Sequence, residues 1–260
     1  MVRFGICAGV ERAAQAKAQG WDYLEGNAQG LFAGLTPDLQ YHGLETIRAS
    51  ILPIAAVNCL VPAALKIVGP TVDRVGLSNY LHNTLRRAGE AGTKVLVFGS
   101  GDARRVPDGF DRPTAQAQLT EFAADAATIA AKYGVTVVLE PLNQKECNIV
   151  TSVAEAMEYV NAVNHPAFRC LVDSYHLWME NEPGAHVLAA AKSIRHVHVA
   201  DLEGRVAPGL SGKSDYRPLF SALQSAGYDG MISVEAIGFD LTTQGADALA
   251  FLRKQWNEAV

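Results

Sequence analysis

Val137-Val138-Leu139-Glu140-Pro141-Leu142-Asn143-Gln144-Lys145-Glu146 is the stretch on which the reading of this chain turns. A continuous apolar run ends abruptly on a carboxylate, and Pro141 then withdraws a backbone donor from any ladder. The pattern predicts a parallel strand buried on both faces, with Glu140 as its last inward residue and a polar loop after it. Burying an unpaired carboxylate costs several kcal/mol, on the order of a domain's whole margin of stability. Glu140 therefore needs a cation or an arginine close by.

Outward from that strand, the same alternation of strand-like and helical patterns fills the chain. Strands are predicted over Arg3–Ala8, Tyr23–Glu25, Ile54–Asn58, Lys94–Phe98, Val135–Glu140, Phe168–Asp173, Ile194–Ala200 and Met231–Glu235. Helices are predicted over Val10–Gln19, Pro37–Ser50, Thr71–Ala91, Thr114–Tyr133, Ser152–Val163, Pro183–Ala191, Tyr216–Ala226 and Thr243–Gln255. Gly20 and Gly134 stop two of these helices, Pro37 opens one, and Ser152 with Glu155 forms a capping-box pattern. Eight strands strictly alternating with eight helices over 260 residues call for an α/β fold, a (β/α)₈ TIM barrel, as one domain spanning 1–260. A doubly wound open sheet is the rival, disfavoured because no GxGxxG follows the first strand. The longest loops (Asn27–Thr36, Cys59–Pro70, Gly99–Pro113, Pro141–Thr151 and Asp201–Asp215) all follow strands, whereas the helix-to-strand turns are terse. A barrel carries its chemistry on the strand-exit face, and that is the face elaborated here.

Composition narrows the function. With 49% hydrophobic residues the chain can bury a large core, and its net charge of −5 leaves no electrostatic footprint for nucleic acid or an anionic membrane. No apolar run approaches the roughly 18–20 residues that span a bilayer. Met1-Val2-Arg3-Phe4 runs straight into the first strand without a signal-peptide layout, so a cytoplasmic protein is expected. Of the four cysteines, Cys7, Cys59 and Cys170 lie in apolar stretches and read as reduced core thiols.

Four consecutive strands end on ligand-type side chains: Glu140, Asp173, His198 and Glu235. In a barrel these are neighbours around one rim, and three carboxylates crowded there repel one another. A divalent cation relieves that repulsion, and three oxygen donors plus an imidazole suit Mn²⁺ first, with Mg²⁺, Co²⁺ or Zn²⁺ open. Taken singly, each residue is better explained by a cap or a salt bridge; the four together on consecutive strands favour a metal. His196 shares the inward face of its strand with His198 and is expected to pack or to support it. His176, three residues past Asp173, reaches the same pocket or stays solvated. Two glutamates on nonadjacent strands around one cation suit proton transfer: one removes a proton beside a carbonyl and the other returns one to the opposite face. Glu140 and Glu235 fit that arrangement.

With these residues assembled, the chain resembles the xylose isomerase-like TIM barrels, in particular the sugar isomerase/epimerase branch that includes ketose 3-epimerases and hydroxypyruvate isomerases. The similarity is carried by Leu139-Glu140-Pro141-Leu142-Asn143 with Glu146 and Asn148, by Asp173-Ser174-Tyr175-His176 and by His196-Val197-His198-Val199-Ala200-Asp201. It continues through Gly204-Arg205, Pro208-Gly209 and Ser233-Val234-Glu235, so it covers essentially the whole chain. The resemblance implies that Glu140, Asp173, His198 and Glu235 hold the metal and that Glu140 and Glu235 are the acid/base pair. It implies that Glu146, His176 and Arg205 hold substrate hydroxyls or the carbonyl. The expected reaction is proton transfer through a cis-enediolate on a ketose or small hydroxyketone, with a homo-oligomer as the common assembly of such proteins.

A hydroxypyruvate isomerase or an inosose-type dehydratase on the same site is the alternative, and a non-catalytic sugar-binding barrel stands as a different class. Hydroxypyruvate isomerases tend to carry glutamine where His198 stands, which favours an epimerase. Asp173-Ser174-Tyr175-His176 also resembles the endonuclease IV relatives of this fold. Those need further histidines after strands three and four, which here end in Asn58 and Phe98-Gly99. Phe98-Gly99-Ser100-Gly101 with Arg104-Arg105 hints at an anion site, with solvated arginines as the alternative, and Trp178 and Met179 are either an apolar wall over a sugar or ordinary packing.

Overall fold

Apolar runs too short for helices supply the strands: β1 (Arg3–Cys7), β2 (Tyr23–Asn27), β3 (Ile54–Asn58), β4 (Val95–Phe98), β5 (Thr136–Leu139), β6 (Phe168–Asp173), β7 (Ile194–Val199) and β8 (Met231–Val234). In the computed structural model, which describes residues 1–259, these eight strands are all parallel and close into a barrel in chain order, with β8 returning to pair β1. The (β/α)₈ barrel expected from the alternation is the fold observed. The helices that cover it are α1 (Ala13–Gln19), α3 (Gly43–Arg48), α4 (Arg74–Ala91), α6 (Arg112–Lys132), α7 (Val153–Val163), α9 (Gly184–Ala190), α10 (Arg217–Ser225) and α11 (Leu241–Asn257). Three short helices, α2 (Ala28–Phe32), α5 (Gly101–Arg104) and α8 (Ser174–Met179), interrupt the loops after β2, β4 and β6. No helix among the described residues is long and apolar enough to cross a membrane.

Strand parity divides the core into two layers. Outward residues such as Ile6, Leu24, Leu96, Leu139, Val172, Val197 and Ile232 pack beneath the helices. Inward residues Tyr23, Ala56, Val95, Val97, Val138, Leu171 and Met231 plug the barrel itself. The Tyr23 ring fits only because its neighbour on β1 is glycine: a Cβ on Gly5 would lie 2.3 Å from it. Above this apolar plug, the inward positions turn polar. Glu140 and Glu235 stand one residue past their strands, yet the ladder still fixes them, through Glu140 N–H to Phe98 C=O at 3.2 Å and Glu235 N–H to Val199 C=O at 3.1 Å.

Several local expectations change. Pro37–Ser50 is not one helix: a 3-10 turn over Asp38–Gln40 is separated from α3 by Tyr41 and His42. The cause is Arg87 of α4, whose buried guanidinium draws the Phe32, Ala33 and Thr36 carbonyls and the Asp38 carboxylate around itself. The Ser152 hydroxyl caps α7 by accepting from Glu155 N–H, but the Glu155 carboxylate reaches back to Thr151 N–H instead of Ser152. Cys170 is buried as expected, Cys7 is half-buried, and Cys59 is exposed, with a left-handed φ of +56° at the mouth of the barrel. Trp178 packs on Tyr216, with ring centroids 5.0 Å apart, and forms no wall over the mouth.

Candidate metal and acid/base centre

Inward parity on β7 places His196 and His198 one above the other at the top of the plug, both fully buried. Glu25, inward on β2, receives both rings: His196 Nε2 at 2.7 Å from Oε2 and His198 Nε2 at 2.9 Å from Oε1. A carboxylate only accepts, so His198 carries its proton on Nε2 and turns Nδ1 towards the mouth. There Nδ1 meets Glu140 Oε1 at 2.9 Å and Glu235 Oε2 at 3.4 Å. A bare nitrogen lone pair facing two carboxylate oxygens is stable only with a proton on Nδ1 or a cation among the three.

Asp173 divides its carboxylate between two tasks. Oδ1 caps α8 by accepting from Tyr175 N–H at 2.7 Å and His176 N–H at 3.4 Å. Oδ2 faces the mouth, 3.4 Å from the Arg205 guanidinium and 3.9 Å from His176 Nε2. Arg205 also bonds Glu235 Oε2 at 2.6 Å and lies 3.5 Å from Glu146 Oε1. Its backbone takes a left-handed φ of +50°, and its guanidinium lies over the Tyr175 ring, 4.8 Å from the centroid. His176 Nδ1 accepts from Asn143 N–H at 3.1 Å, so its proton sits on Nε2, and that buried atom has no hydrogen-bond partner among the described residues. Glu146 stands higher on the rim, its carboxylate accepting from Asn143 Nδ2 at 2.9 Å.

The structure thus gathers Glu140, Asp173, His198 and Glu235, whose ligand atoms all lie within 4.8 Å of one another, and sets Glu146, His176 and Arg205 beside them. The donor set fits a divalent ion. Glu25, Glu140, Glu146, Asp173 and Glu235 crowd together, Arg205 reaches Glu146, Asp173 and Glu235, and Nδ1 of His198 faces Glu140 and Glu235. Fields within the cluster are uneven. Burial opposes ionisation of Glu235, but His198 and Arg205 outweigh it and hold that carboxyl down at about 2. Burial and the nearby Glu235 push Glu140 up against the pull of His198. Burial disfavours the charged ring of His198, yet Glu25, Glu235 and Glu140 together raise it well above its ordinary value.

Three contributors escape a reading of the sequence. Glu25 reads there as the end of a strand, although its parity with Tyr23 places it inward, and the bulge between Leu24 and Glu25 settles its height. Asn58 donates its amide to Glu235 Oε1 at 2.9 Å. Gly99 makes room for the Glu140 carboxylate, since a Cβ there would lie 2.3 Å from Oε2. The hint of an anion site fails: Arg104 is buried, donating to the Phe98 and Glu140 carbonyls at 3.0 and 2.7 Å, and Arg105 donates to the Glu146 carbonyl. A cavity of ≈ 420 Å³ opens over Glu140, Glu235, His176 and Arg205, and one of ≈ 510 Å³ adjoins it across Asn58 and Cys59. Both are of a size usual for small-molecule sites.

Residues 13–255 match the family model of the xylose isomerase-like TIM barrel. Among curated proteins, the chain is 27% identical over 164 residues to a putative hydroxypyruvate isomerase of Mus musculus, a match covering 60% of this chain and 58% of that protein. It is 32% identical over 128 residues to the 3-dehydro-D-guloside 4-epimerase of Escherichia coli, 48% of each chain. The matches therefore span about half the length of these curated relatives. Among solved structures, the 3-keto-D-glucoside 4-epimerase of E. coli superposes with a TM-score of 0.81 at 22% identity, covering 98% of this chain and 100% of that one.

Proposed function

The chain belongs to the xylose isomerase-like TIM barrel family, and from that premise we propose that it is a divalent-metal-dependent sugar epimerase or isomerase acting on a ketose or small hydroxyketone. The observation that carries the reading is the placement of Glu140 and Glu235 on either side of His198 Nδ1, with their carboxyls pushed in opposite directions. Pairs whose environments drive them apart are the usual mark of an acid and a base. An ion held by Glu140, Asp173, His198 and Glu235, with Mn²⁺ first and Mg²⁺, Co²⁺ or Zn²⁺ as alternatives, would supply Lewis-acid polarisation of the substrate carbonyl.

The protein's own groups do the rest. Ionised Glu235 takes the proton from the carbon beside the carbonyl, and the electron pair left behind moves onto the carbonyl oxygen as a cis-enediolate. His176 Nε2–H, a buried donor with no hydrogen-bond partner among the described residues, and the Arg205 guanidinium bind substrate oxygens. Glu140, reaching the cavity from β5, delivers a proton to the opposite face, and the centre is inverted. Return of the proton to the neighbouring carbon gives aldose–ketose isomerisation instead. Glu146, half-exposed on the rim, binds the distal hydroxyls.

Incubating the Mn²⁺-loaded protein in D₂O with a panel of ketoses, hydroxypyruvate and inososes tests this directly. Deuterium is expected at a single carbon of the true substrate, and its position separates epimerisation, isomerisation and dehydration. Glu140→Gln and Glu235→Gln should each reduce turnover by at least about 10²-fold, the range for positioned acid/base groups. Full activity in either variant rejects the pair, and a barrel that only binds sugar would keep its affinity in both.

A further inference from the structure

Cys7 closes β1 with the inward parity of Gly5, next to β8 on one side and β2 on the other. Its Sγ, a ring nitrogen of His198 and a carboxylate oxygen of Glu235 all lie within 4.8 Å of one another. The Asn58 amide donates to Glu235 Oε1 at 2.9 Å and to Cys7 Sγ at 3.7 Å, so sulfur and carboxylate share one donor. Cys7 is half-buried and lines the ≈ 510 Å³ cavity that adjoins the main mouth across Asn58 and Cys59, which gives an ion a way in.

We propose that Cys7, His198 and Glu235 form a second coordination position, one that captures thiophilic divalent ions such as Zn²⁺ or Cd²⁺. The proposal rests on the reading that Glu140, Asp173, His198 and Glu235 hold the working ion. Glu25 occupies Nε2 of His198, so Nδ1 is the ring nitrogen left for either position, and one lone pair serves one metal. The two positions therefore exclude each other. Oxygen donors suit Mn²⁺ and Mg²⁺, whereas a thiolate with an imidazole and a carboxylate is a tetrahedral zinc set with one place open. On binding, the Cys7 S–H bond breaks, its proton leaves to solvent and the sulfur electron pair forms the bond to the metal. An ion seated there leaves Asp173 and Glu140 behind and ties up Glu235, so a metal held through the sulfur inhibits, whichever metal in the oxygen-rich position serves the reaction.

X-ray absorption on the whole protein loaded with one equivalent of metal tests the assignment. Zn²⁺ should show one sulfur neighbour, Mn²⁺ none, and the sulfur should disappear in Cys7→Ser. No sulfur shell with Zn²⁺ in the wild type, or one that survives Cys7→Ser, overturns the proposal. Should Cys7→Ser fold poorly, the wild type still decides the matter. Zn²⁺ should slow iodoacetamide labelling of Cys7, read by peptide mass spectrometry, by at least about tenfold, because the metal takes the nucleophilic pair. Mn²⁺ should leave labelling unchanged, and equal labelling with both ions sinks the idea. Asp173→Asn separates the two readings: it should lose Mn²⁺ while keeping the zinc–sulfur signal. Unchanged Mn²⁺ content in that variant counts against the oxygen set alone, whereas a sulfur signal lost with Asp173 counts against the second position.

Discussion

Glu25 decides which way both inward histidines face. It accepts from His196 Nε2 and His198 Nε2 at 2.7 and 2.9 Å while fully surrounded by protein. Those two imidazoles outweigh the cost of burial and hold its carboxyl far below the usual range, so it is an anion in the fold. A carboxylate behind a ligating histidine fixes the ring and raises its basicity, and removing such a partner typically costs 10–100-fold in metal affinity. Glu25→Gln keeps the volume but adds a donor, so His198 loses its enforced Nε2–H tautomer. We expect Mn²⁺ affinity, measured by calorimetric titration, to fall about 10- to 100-fold in this variant. An affinity within about twofold of wild type would assign Glu25 to packing alone. The residue was hard to read in the sequence because one glutamate after Tyr23-Leu24 looks like a strand end. By contrast, Glu140 announced itself, since Pro141 marks the end of the strand beneath it.

At the scale of elements, the strands and main helices were legible because each is specified locally, by apolar runs, parity and caps. Ser152 capping α7 is of this kind. What was not legible depends on partners distant in the chain. Pro37–Ser50 has helical periodicity, yet Arg87 on α4 takes the Asp38 carboxylate at 2.7 Å and stacks on Tyr41 at 4.0 Å, bending the segment around itself. Bonding from Arg87, then from Arg86, holds the Asp38 carboxyl below its ordinary value. The sign follows: a depressed folded value means the contribution is complete above the unfolded value, near 3.9, and is lost as pH falls through the folded one. Asp38→Asn should therefore melt below the wild type near neutral pH, with the gap in Tm closing once the pH drops below about 4. Scanning calorimetry across that range checks it, and a gap that stays constant into acid would separate Asp38 from the effect. The short α8 is a second such case, since the carboxylate that caps it also faces the mouth.

Across the whole molecule, the barrel concentrates negative charge that the unfolded chain would disperse. Glu25, Glu140, Asp173 and Glu235 converge above an apolar plug of Val97, Val138, Leu171 and Met231, against Arg205 and the histidines. Several carboxylates buried side by side break a local rule at this rim, where function is expected to override stability. Folding and cation binding should then be linked, because an ion that binds only the folded barrel stabilises it by RT ln(1 + [L]/Kd), about 2.7 kcal/mol at 100 times Kd. For a chain of this size that corresponds to a rise in Tm of about 5–10 °C. Mn²⁺ should produce this rise, EDTA should reverse it, and Asp173→Asn should abolish most of it. Monovalent salt at matched ionic strength supplies the control, since screening acts without coordination. An equal rise with NaCl, or none with any divalent ion, would mean that Arg205 and His198 balance the rim unaided, and the case for a bound cation would fall with it.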